Sequence, residues 1–184
     1  ALDGGNLTPV TQGKYDLIDV EAIDPAGAWL YFAASPDNAT QRYLYRVSLK
    51  GGEPQRLSPA NQSGWHTYNI SPDANWAIHT FSNFTTPPIV ELVRLSDHTV
   101  VRTLIDNKPP ADRLAALKRP AIEFMKVEIG NGITLDGWSL MPPSTADATR
   151  EETPVKKRPL LVHVYGEPHG QTVKDAWGGP RGLW

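Results

Sequence analysis

The stretch IDPAGAWLYFAAS, residues 23–35, is followed 47 residues later by a related stretch, ISPDANWAIHTFS, residues 70–82. The two copies share an initial Ile, a Pro two positions later, a Trp and a final Ser. Short apolar runs separated by Pro, Asp, Gly and Asn, with a period of about 45 residues, are typical of four-stranded β-propeller blades. The repeat predicts one blade over residues 17–60 and the next over residues 64–106.

Two blades cannot close a ring, because propellers have about four to eight blades. An open pair also leaves sheet edges unpaired. We therefore expect these to be the last two blades of a longer propeller. Residues 29–34, WLYFAA, are almost entirely apolar, which predicts a central strand that is buried on both faces.

The pattern changes after residue 106, where a helix and a hairpin are predicted. The run PPADRLAALKRP, residues 109–120, begins with Pro residues and ends at another Pro, as a short helix does. We interpret residues 107–120 as a connector helix. Residues 123–129 and 133–141 are strand-like runs joined by Gly-Asn-Gly, a sequence that favours a tight hairpin turn.

A third strand is predicted near the end of the chain. Residues 160–165, LLVHVY, are apolar and bounded by Pro159 and Gly166, which predicts a short buried strand that leads into a loop. A tyrosine hydroxyl at the end of such a strand, here Tyr165, can donate a hydrogen bond to a developing oxyanion. The alternative is a core tyrosine with its hydroxyl at the surface.

The composition excludes several classes of function. The 184 residues carry a formal net charge of −2 without a basic stripe, so nucleic acid is not an expected partner. The absence of cysteine excludes disulfides, thiolate metal sites and a cysteine nucleophile. His66, His79 and His98 are not spaced as ligands on one element, so we expect no metal and no cofactor. No apolar run approaches the roughly 20 residues of a membrane-spanning helix.

Three further stretches carry a resemblance to a known family. EFMKVEIGNGITLDGWSLMPP (residues 123–143), RPLLVHVYGEPHGQTV (residues 158–173) and WGGPRGLW (residues 177–184) resemble the start of the catalytic domain in the dipeptidyl peptidase IV branch of the prolyl oligopeptidase family of serine peptidases. In that family a tyrosine that opens a Y-x-x-P loop is an oxyanion donor. Tyr165 and Pro168 match this motif, so Tyr165 is the candidate catalytic residue.

The resemblance implies a mostly β fold with three parts. Residues 1–106 would form the last two blades of a β-propeller, and residues 107–120 the connector helix. Residues 121–184 would contain the first three strands of an α/β-hydrolase domain. A Gly-x-Ser-x-Gly turn, which carries the nucleophile in that fold, does not occur in the sequence. We therefore expect the catalytic triad beyond Trp184 and an inactive fragment.

The resemblance also implies a parent enzyme that removes dipeptides from peptide N-termini through an acyl-enzyme on serine. Its peptide substrates would carry Pro or Ala at the second position. A homodimeric parent is compatible with the family, and a periplasmic or secreted location is expected from the bacterial character of the Y-G-x-P loop. Asp175, His169 and Lys174 lie near Tyr165 in sequence but are given no catalytic role, and the substrate-binding residues are unknown.

Two alternatives remain open at this point. The parent could be another member of the family, an oligopeptidase or an acylaminoacyl peptidase. The chain could also be a propeller-type module for protein–protein interaction, in which the C-terminal strands only cap the propeller. The sequence that follows residue 184 would separate these possibilities, because only the enzyme requires a Gly-x-Ser-x-Gly turn there.

Overall fold

The computed structural model describes residues 4–5, 8–141, 159–164, 166 and 170–179. In these ranges the chain is mostly β and contains two four-stranded antiparallel sheets, one helix and a two-stranded hairpin. The first sheet consists of β1 (Leu17–Asp24), β2 (Trp29–Ala34), β3 (Tyr43–Ser48) and β4 (Gln55–Arg56). The second consists of β5 (Trp65–Ile70), β6 (Trp76–Ser82), β7 (Ile89–Arg94) and β8 (Thr99–Ile105). Strands pair in chain order in both sheets, which confirms the fourfold pattern predicted from the repeat.

Strand β2 is buried on both faces, as its apolar sequence predicts. Successive side chains of a strand point to opposite faces. Phe32 therefore packs on the outer face of the first sheet with Tyr45 and Val47, whereas Tyr31 packs on the other face, towards the second sheet. An uninterrupted apolar run is thus what a strand with a packed surface on each side requires.

The two sheets pack together through a shared core and a short backbone contact. The inter-sheet core contains one set of buried apolar side chains: Tyr31, Leu44, Tyr68, Ala77, Val93 and Leu95. At its edge, the N–H of Arg42 donates to the carbonyl of Gly64 over 3.1 Å, and the N–H of His66 donates to the carbonyl of Arg42 over 3.0 Å. Gly64 has φ 148°, and a Cβ there would lie 2.5 Å from the carbonyl oxygen of Ser82. Glycine at this position therefore permits the close approach of the chain before β5 to the end of β6 within the second sheet.

The helix and the hairpin follow the second sheet. Helix α1 (Lys108–Ala115) lies inside the range predicted for the connector, and Lys108 pairs with Asp112 one turn later over 3.1 Å. Strands β9 (Ala121–Gly130) and β10 (Ile133–Met141) form the predicted hairpin. Residues 130–132 all have positive φ, at 95°, 53° and 72°, which explains why Gly-Asn-Gly occupies the turn.

The predicted short buried strand over residues 160–165 is not observed in its described part. Residues 159–164 have no regular secondary structure, and four apolar side chains there are 68–93% exposed: Leu160, Leu161, Val162 and Val164. A strand requires a neighbour that accepts and donates its backbone hydrogen bonds. Among the described residues, β9 and β10 pair only with each other, so this run has no partner strand. A third hydrolase strand is therefore absent from the part of the chain that the structure describes.

No helix within the described ranges has both the length and the apolar character needed to cross a membrane.

Replacing Leu44 by Ala tests the inter-sheet core. Leu44 is 1% exposed, so we expect the truncation to lower the free energy of opening of the two sheets by about 2–5 kcal/mol. Leu104→Ala is the matched control, since Leu104 is 46% exposed, and its effect should stay below about 1 kcal/mol. Native-state hydrogen exchange of β2, β3, β5 and β6 measures both variants. Equal effects of the two substitutions would contradict the assigned core.

Candidate functional site

Tyr165, the candidate oxyanion donor, lies outside the residues that the structure describes, as do Pro168 and His169. The surroundings of this loop can be analysed from the segments on either side of it. Residues 159–164 precede Tyr165 and are exposed. Residues 170–177, which we call the strap, follow it and contact both sheets. The strap therefore relates the candidate loop to the rest of the fold.

Asp175 is the main anchor of the strap. One carboxylate oxygen, Oδ2, accepts a hydrogen bond from Nε2 of Gln41 over 3.0 Å, and the other, Oδ1, accepts one from the N–H of Phe84 over 3.0 Å. The N–H of Asp175 donates to the carbonyl of Thr40 over 2.7 Å. Thr40 and Gln41 belong to the β2–β3 connection, and Phe84 belongs to the β6–β7 connection. One carboxylate thus joins equivalent loops of the two sheets through charge-assisted hydrogen bonds.

Other residues of the strap add contacts on both sides of Asp175. The N–H of Trp177 donates to Oγ of Ser82 over 3.3 Å, at the end of β6. The side-chain amide of Gln171 donates to the carbonyl of Ala39. The ammonium of Lys174 lies 5.0 Å from the centre of the Trp65 ring, within the range of a cation–π interaction. The strap is therefore held along its length and not only at one residue.

Phe84 connects the strap to the hairpin. Its ring meets Phe124 of β9 edge-on with a centroid distance of 6.0 Å, and it packs against Trp138 of β10 at 5.2 Å. Its backbone N–H is the group that donates to Asp175. We call Phe84, Phe124, Trp138 and Asp175 the junction. The β6–β7 connection thus holds both the hairpin, which comes before the predicted catalytic loop in sequence, and the strap, which follows it.

Sequence analysis missed the junction. The sequence gives Asp175 no role, and the structure shows that it anchors the strap. Phe84 was not singled out, because a lone aromatic residue in a Thr- and Pro-rich loop has no distinctive pattern. Contacts between residues about 90 positions apart, such as Phe84 with Asp175, leave no periodic signal in a single sequence.

Arg42, at the edge of the inter-sheet core, is a further charged group that could bind a ligand. Its guanidinium lies 2.6 Å from the carboxylate of Glu21 and 3.9 Å from that of Asp19, both on β1. The same group lies 6.0 Å from the Trp65 ring. Two acidic neighbours therefore already satisfy the charge of Arg42, which makes it a structural ion pair and a weak candidate for an anion site.

Three histidines that are far apart in sequence meet inside the second sheet. Nδ1 of His66 and Nε2 of His79 lie 2.9 Å apart, and both rings are fully buried. The ring of His98 meets His79 edge-on at a centroid distance of 4.7 Å. Nε2 of His98 lies 2.8 Å from the hydroxyl of Tyr68, which in turn lies 2.9 Å from Oγ of Ser58. Strand pairing in the second sheet brings these groups together, a relation that their sequence spacing did not indicate.

The two ring nitrogens of His66 and the two of His79 are all occupied by contacts within the protein. Nε2 of His66 lies 2.9 Å from the carbonyl of Gln62, and Nδ1 of His79 lies 3.4 Å from Oε2 of Glu91. In the described ranges, the His, Asp and Glu side chains form no group of three or more that is arranged to hold a metal ion. The cluster is therefore a hydrogen-bonded chain, and we call these residues, Gln62, His66, His79 and Glu91, the histidine chain.

Comparison with known proteins agrees with this architecture. The family model of the dipeptidyl peptidase IV N-terminal region matches residues 1–88, which include the first sheet and β5 and β6. Two solved structures share the fold over nearly the whole chain. Dipeptidyl peptidase 4 of Porphyromonas gingivalis superposes with a TM-score of 0.79 at 24% identity, covering 92% of this chain and 23% of that one. A putative dipeptidyl aminopeptidase IV of Bacteroides ovatus gives a TM-score of 0.73 at 20% identity, covering 97% and 24%.

Curated relatives match over the same extent. A probable dipeptidyl peptidase 4 of Emericella nidulans is 26% identical over 174 residues, which cover 95% of this chain and 22% of the relative. Dipeptidyl peptidase 4 of Trichophyton equinum is 25% identical over 177 residues, which cover 96% and 22%. The chain thus spans about a fifth of the length of the curated relatives it matches. The family model and these relatives agree, and both support the resemblance to the dipeptidyl peptidase IV branch of peptidases that the sequence predicts.

Proposed function

We propose that this chain is part of a serine-type dipeptidyl peptidase that removes dipeptides with Pro or Ala at the second position from peptide N-termini. The observation that carries the proposal is the alignment of 95% of the chain with relatives that are named dipeptidyl peptidases. That alignment extends beyond the two sheets, which an interaction propeller would also contain. The peptidase is therefore favoured over a propeller that only binds other proteins. A periplasmic or secreted location of the parent is part of the same proposal.

In this proposal the two sheets are blades of the parent's propeller, and β9 and β10 begin its α/β-hydrolase domain. The serine nucleophile, its histidine and its acid belong to the parent outside residues 1–184, since these residues contain no Gly-x-Ser-x-Gly turn. The serine attacks the carbonyl of the second residue, the peptide bond breaks and the shortened peptide leaves with a free amine. Water then hydrolyses the acyl-enzyme to release the dipeptide and restore the serine. The present chain contributes the hydroxyl of Tyr165, which donates a hydrogen bond to the oxyanion.

The strap supports this role for Tyr165. An oxyanion donor is effective only when its position is fixed before the reaction. Gln171, the first described residue after Tyr165 whose side chain contacts the sheets, is six positions further along the chain. Asp175 holds the same segment to both sheets with three hydrogen bonds. We infer that these contacts restrict the loop on its C-terminal side.

Replacing Tyr165 by Phe in the full-length parent tests the catalytic assignment. We expect kcat for a chromogenic substrate with Pro at the second position to fall about 10²-fold to 10³-fold, the usual cost of losing one oxyanion donor. KM should change much less, because the interaction forms mainly in the transition state. Steady-state kinetics measures both constants.

Tyr15→Phe is the matched control for this substitution. The hydroxyl of Tyr15 is buried and has no hydrogen-bond partner among the described residues, so its removal should leave kcat unchanged. Near-normal kcat in the Tyr165→Phe enzyme would remove Tyr165 from the mechanism. A parent without any hydrolytic activity on such substrates would instead favour the interaction propeller.

Replacing Asp175 by Asn tests the anchor of the strap. An Asn side chain offers one oxygen to the two N–H donors that now share a carboxylate, so one hydrogen bond is lost. We expect the local opening free energy of residues 170–177 to fall by about 1.5–3 kcal/mol, the contribution of a hydrogen bond to a charged group. Hydrogen exchange of the full-length parent, followed by mass spectrometry, measures this change. Asp37→Asn, an exposed carboxylate on the β2–β3 connection, should have no such effect.

The same variant shows whether the anchor acts through Tyr165. If it does, Asp175→Asn lowers kcat in the wild-type background and has little further effect when Tyr165 is already Phe. Full additivity of the two losses would show that the anchor stabilises the fold without positioning the donor.

A further inference from the structure

The direction of hydrogen bonding in the histidine chain is fixed at one end by a backbone carbonyl. The carbonyl oxygen of Gln62 can only accept, so Nε2 of His66 carries the hydrogen of their 2.9 Å contact. In a neutral imidazole the other nitrogen then has a lone pair. Nδ1 of His66 must therefore accept from Nε2 of His79, 2.9 Å away. This assigns the hydrogen of His79 to Nε2 and leaves a lone pair on its Nδ1.

The lone pair of His79 faces the carboxyl group of Glu91. His79 and Glu91 are directly opposite each other on the paired strands β6 and β7, and Nδ1 of His79 lies 3.4 Å from Oε2 of Glu91. An ionised carboxylate has only acceptors, so it would place two lone pairs against each other. A hydrogen is needed between these atoms. It can come from a protonated Glu91 or from a second proton on the imidazoles.

Burial decides between these two positions of the proton. The side chain of His79 is fully buried, whereas that of Glu91 is 14% exposed. Burial lowers the pKa of His66 to about 4, and burial with the neighbouring His66 and His98 lowers the pKa of His79 to about 3. Burial raises the pKa of Glu91. The lowered pKa values of the histidines favour neutral rings, and the raised pKa of Glu91 favours a neutral carboxyl group.

The other charged and titratable groups around the chain agree with a neutral arrangement. From β4, the positive charge of Arg56 opposes a proton on His66. From the β7–β8 turn, His98 presents its ring edge to His79, and burial lowers the pKa of His98 despite the nearby carboxylate of Asp97. From β5, the ring of Tyr68 stacks on His79 at 4.8 Å, and burial raises the pKa of its hydroxyl, which stays protonated. The remaining negative group, Glu21 of β1, also raises the pKa of the Tyr68 hydroxyl.

We propose that Glu91 is protonated in the folded protein and donates its hydrogen to Nδ1 of His79, so that the second sheet takes up one proton when it folds. The hydrogen bonds then run in one direction, from Glu91 through His79 and His66 to the carbonyl of Gln62. Both nitrogens of each ring, Oε2 of Glu91 and the carbonyl of Gln62 are then satisfied without a buried charge. The proton uptake does not depend on the proposed peptidase activity.

The proposal has a defined effect on stability. When the sheet opens, Glu91 regains its ordinary pKa of about 4.3 and loses the proton. The contribution of Glu91 is therefore fully present below that pH and is lost as the pH rises through the higher pKa of the folded state. The two histidines act in the opposite direction, because their pKa values are lowered on folding. The effect of the histidines on stability is the same in the wild type and in a Glu91 variant. It therefore cancels when the opening constant of one protein is divided by that of the other.

Glu91→Gln is the variant that tests the uptake, because a Gln amide can donate to Nδ1 of His79 but cannot titrate. The local opening constant of β5, β6 and β7 is measured in the full-length parent by hydrogen exchange from pH 5 to pH 8. We expect the ratio of the wild-type constant to the Glu91→Gln constant to rise about tenfold per pH unit until it reaches a plateau. Glu128→Gln, an exposed carboxyl group on β9, should give a ratio that is independent of pH. A constant ratio for Glu91→Gln would overturn the proposal.

Hydrogen exchange shows whether a proton is taken up on folding. Infrared spectroscopy shows whether that proton is on the carboxyl group of Glu91. At pH 5, the lowest pH of this range, the wild type should show the carbonyl absorption of a protonated carboxyl group that is missing from the Glu91→Gln protein. If that variant does not fold, the absorption should still disappear from the wild type on unfolding in urea at the same pH. A folded wild-type spectrum without this absorption would place the proton on the imidazoles or exclude it, and either result would overturn the assignment to Glu91.

Discussion

The packing of the first sheet on the second is the constraint on which the other features of this structure depend. It combines an apolar core with two backbone hydrogen bonds between Arg42 and the chain at the start of β5. Because the sheets are related by a sequence repeat, packing them in register places equivalent connections at the same end. The β2–β3 and β6–β7 connections can then hold a single segment of the chain between them, which is what Asp175 requires.

The same packing explains how polar groups are tolerated in the second sheet. A buried imidazole that lacks a partner costs free energy comparable to a lost hydrogen bond, and a buried charge costs more. His66 and His79 avoid both costs, since each ring nitrogen meets a group of the opposite hydrogen-bonding character if Glu91 supplies the last hydrogen. The members of the chain are therefore interdependent. Changing one of them reverses or breaks the bonds of the others, which a substitution in the apolar core does not do.

How far the sequence predicts this structure depends on the range of the interaction concerned. The two four-stranded sheets and the Gly-Asn-Gly hairpin follow from periodicity and turn chemistry, which are local. The strand expected at residues 160–165 is not observed over residues 160–164, because an apolar run specifies a strand only together with a partner, and none is available among the described residues. The histidine chain and the junction were missed because both depend on side chains that only the pairing and packing of distant strands bring into contact.

The junction shows why motif and position have to be considered separately. A Y-x-x-P motif identifies a group with suitable chemistry, but its effect on a reaction depends on where the fold holds it. Here the hairpin that precedes the motif packs on the ring of Phe84, and the strap that follows it is bonded to the backbone of the same residue. The hairpin and the strap therefore both contact one residue of the second sheet. A movement of the β6–β7 connection would therefore act on the hairpin and on the strap together.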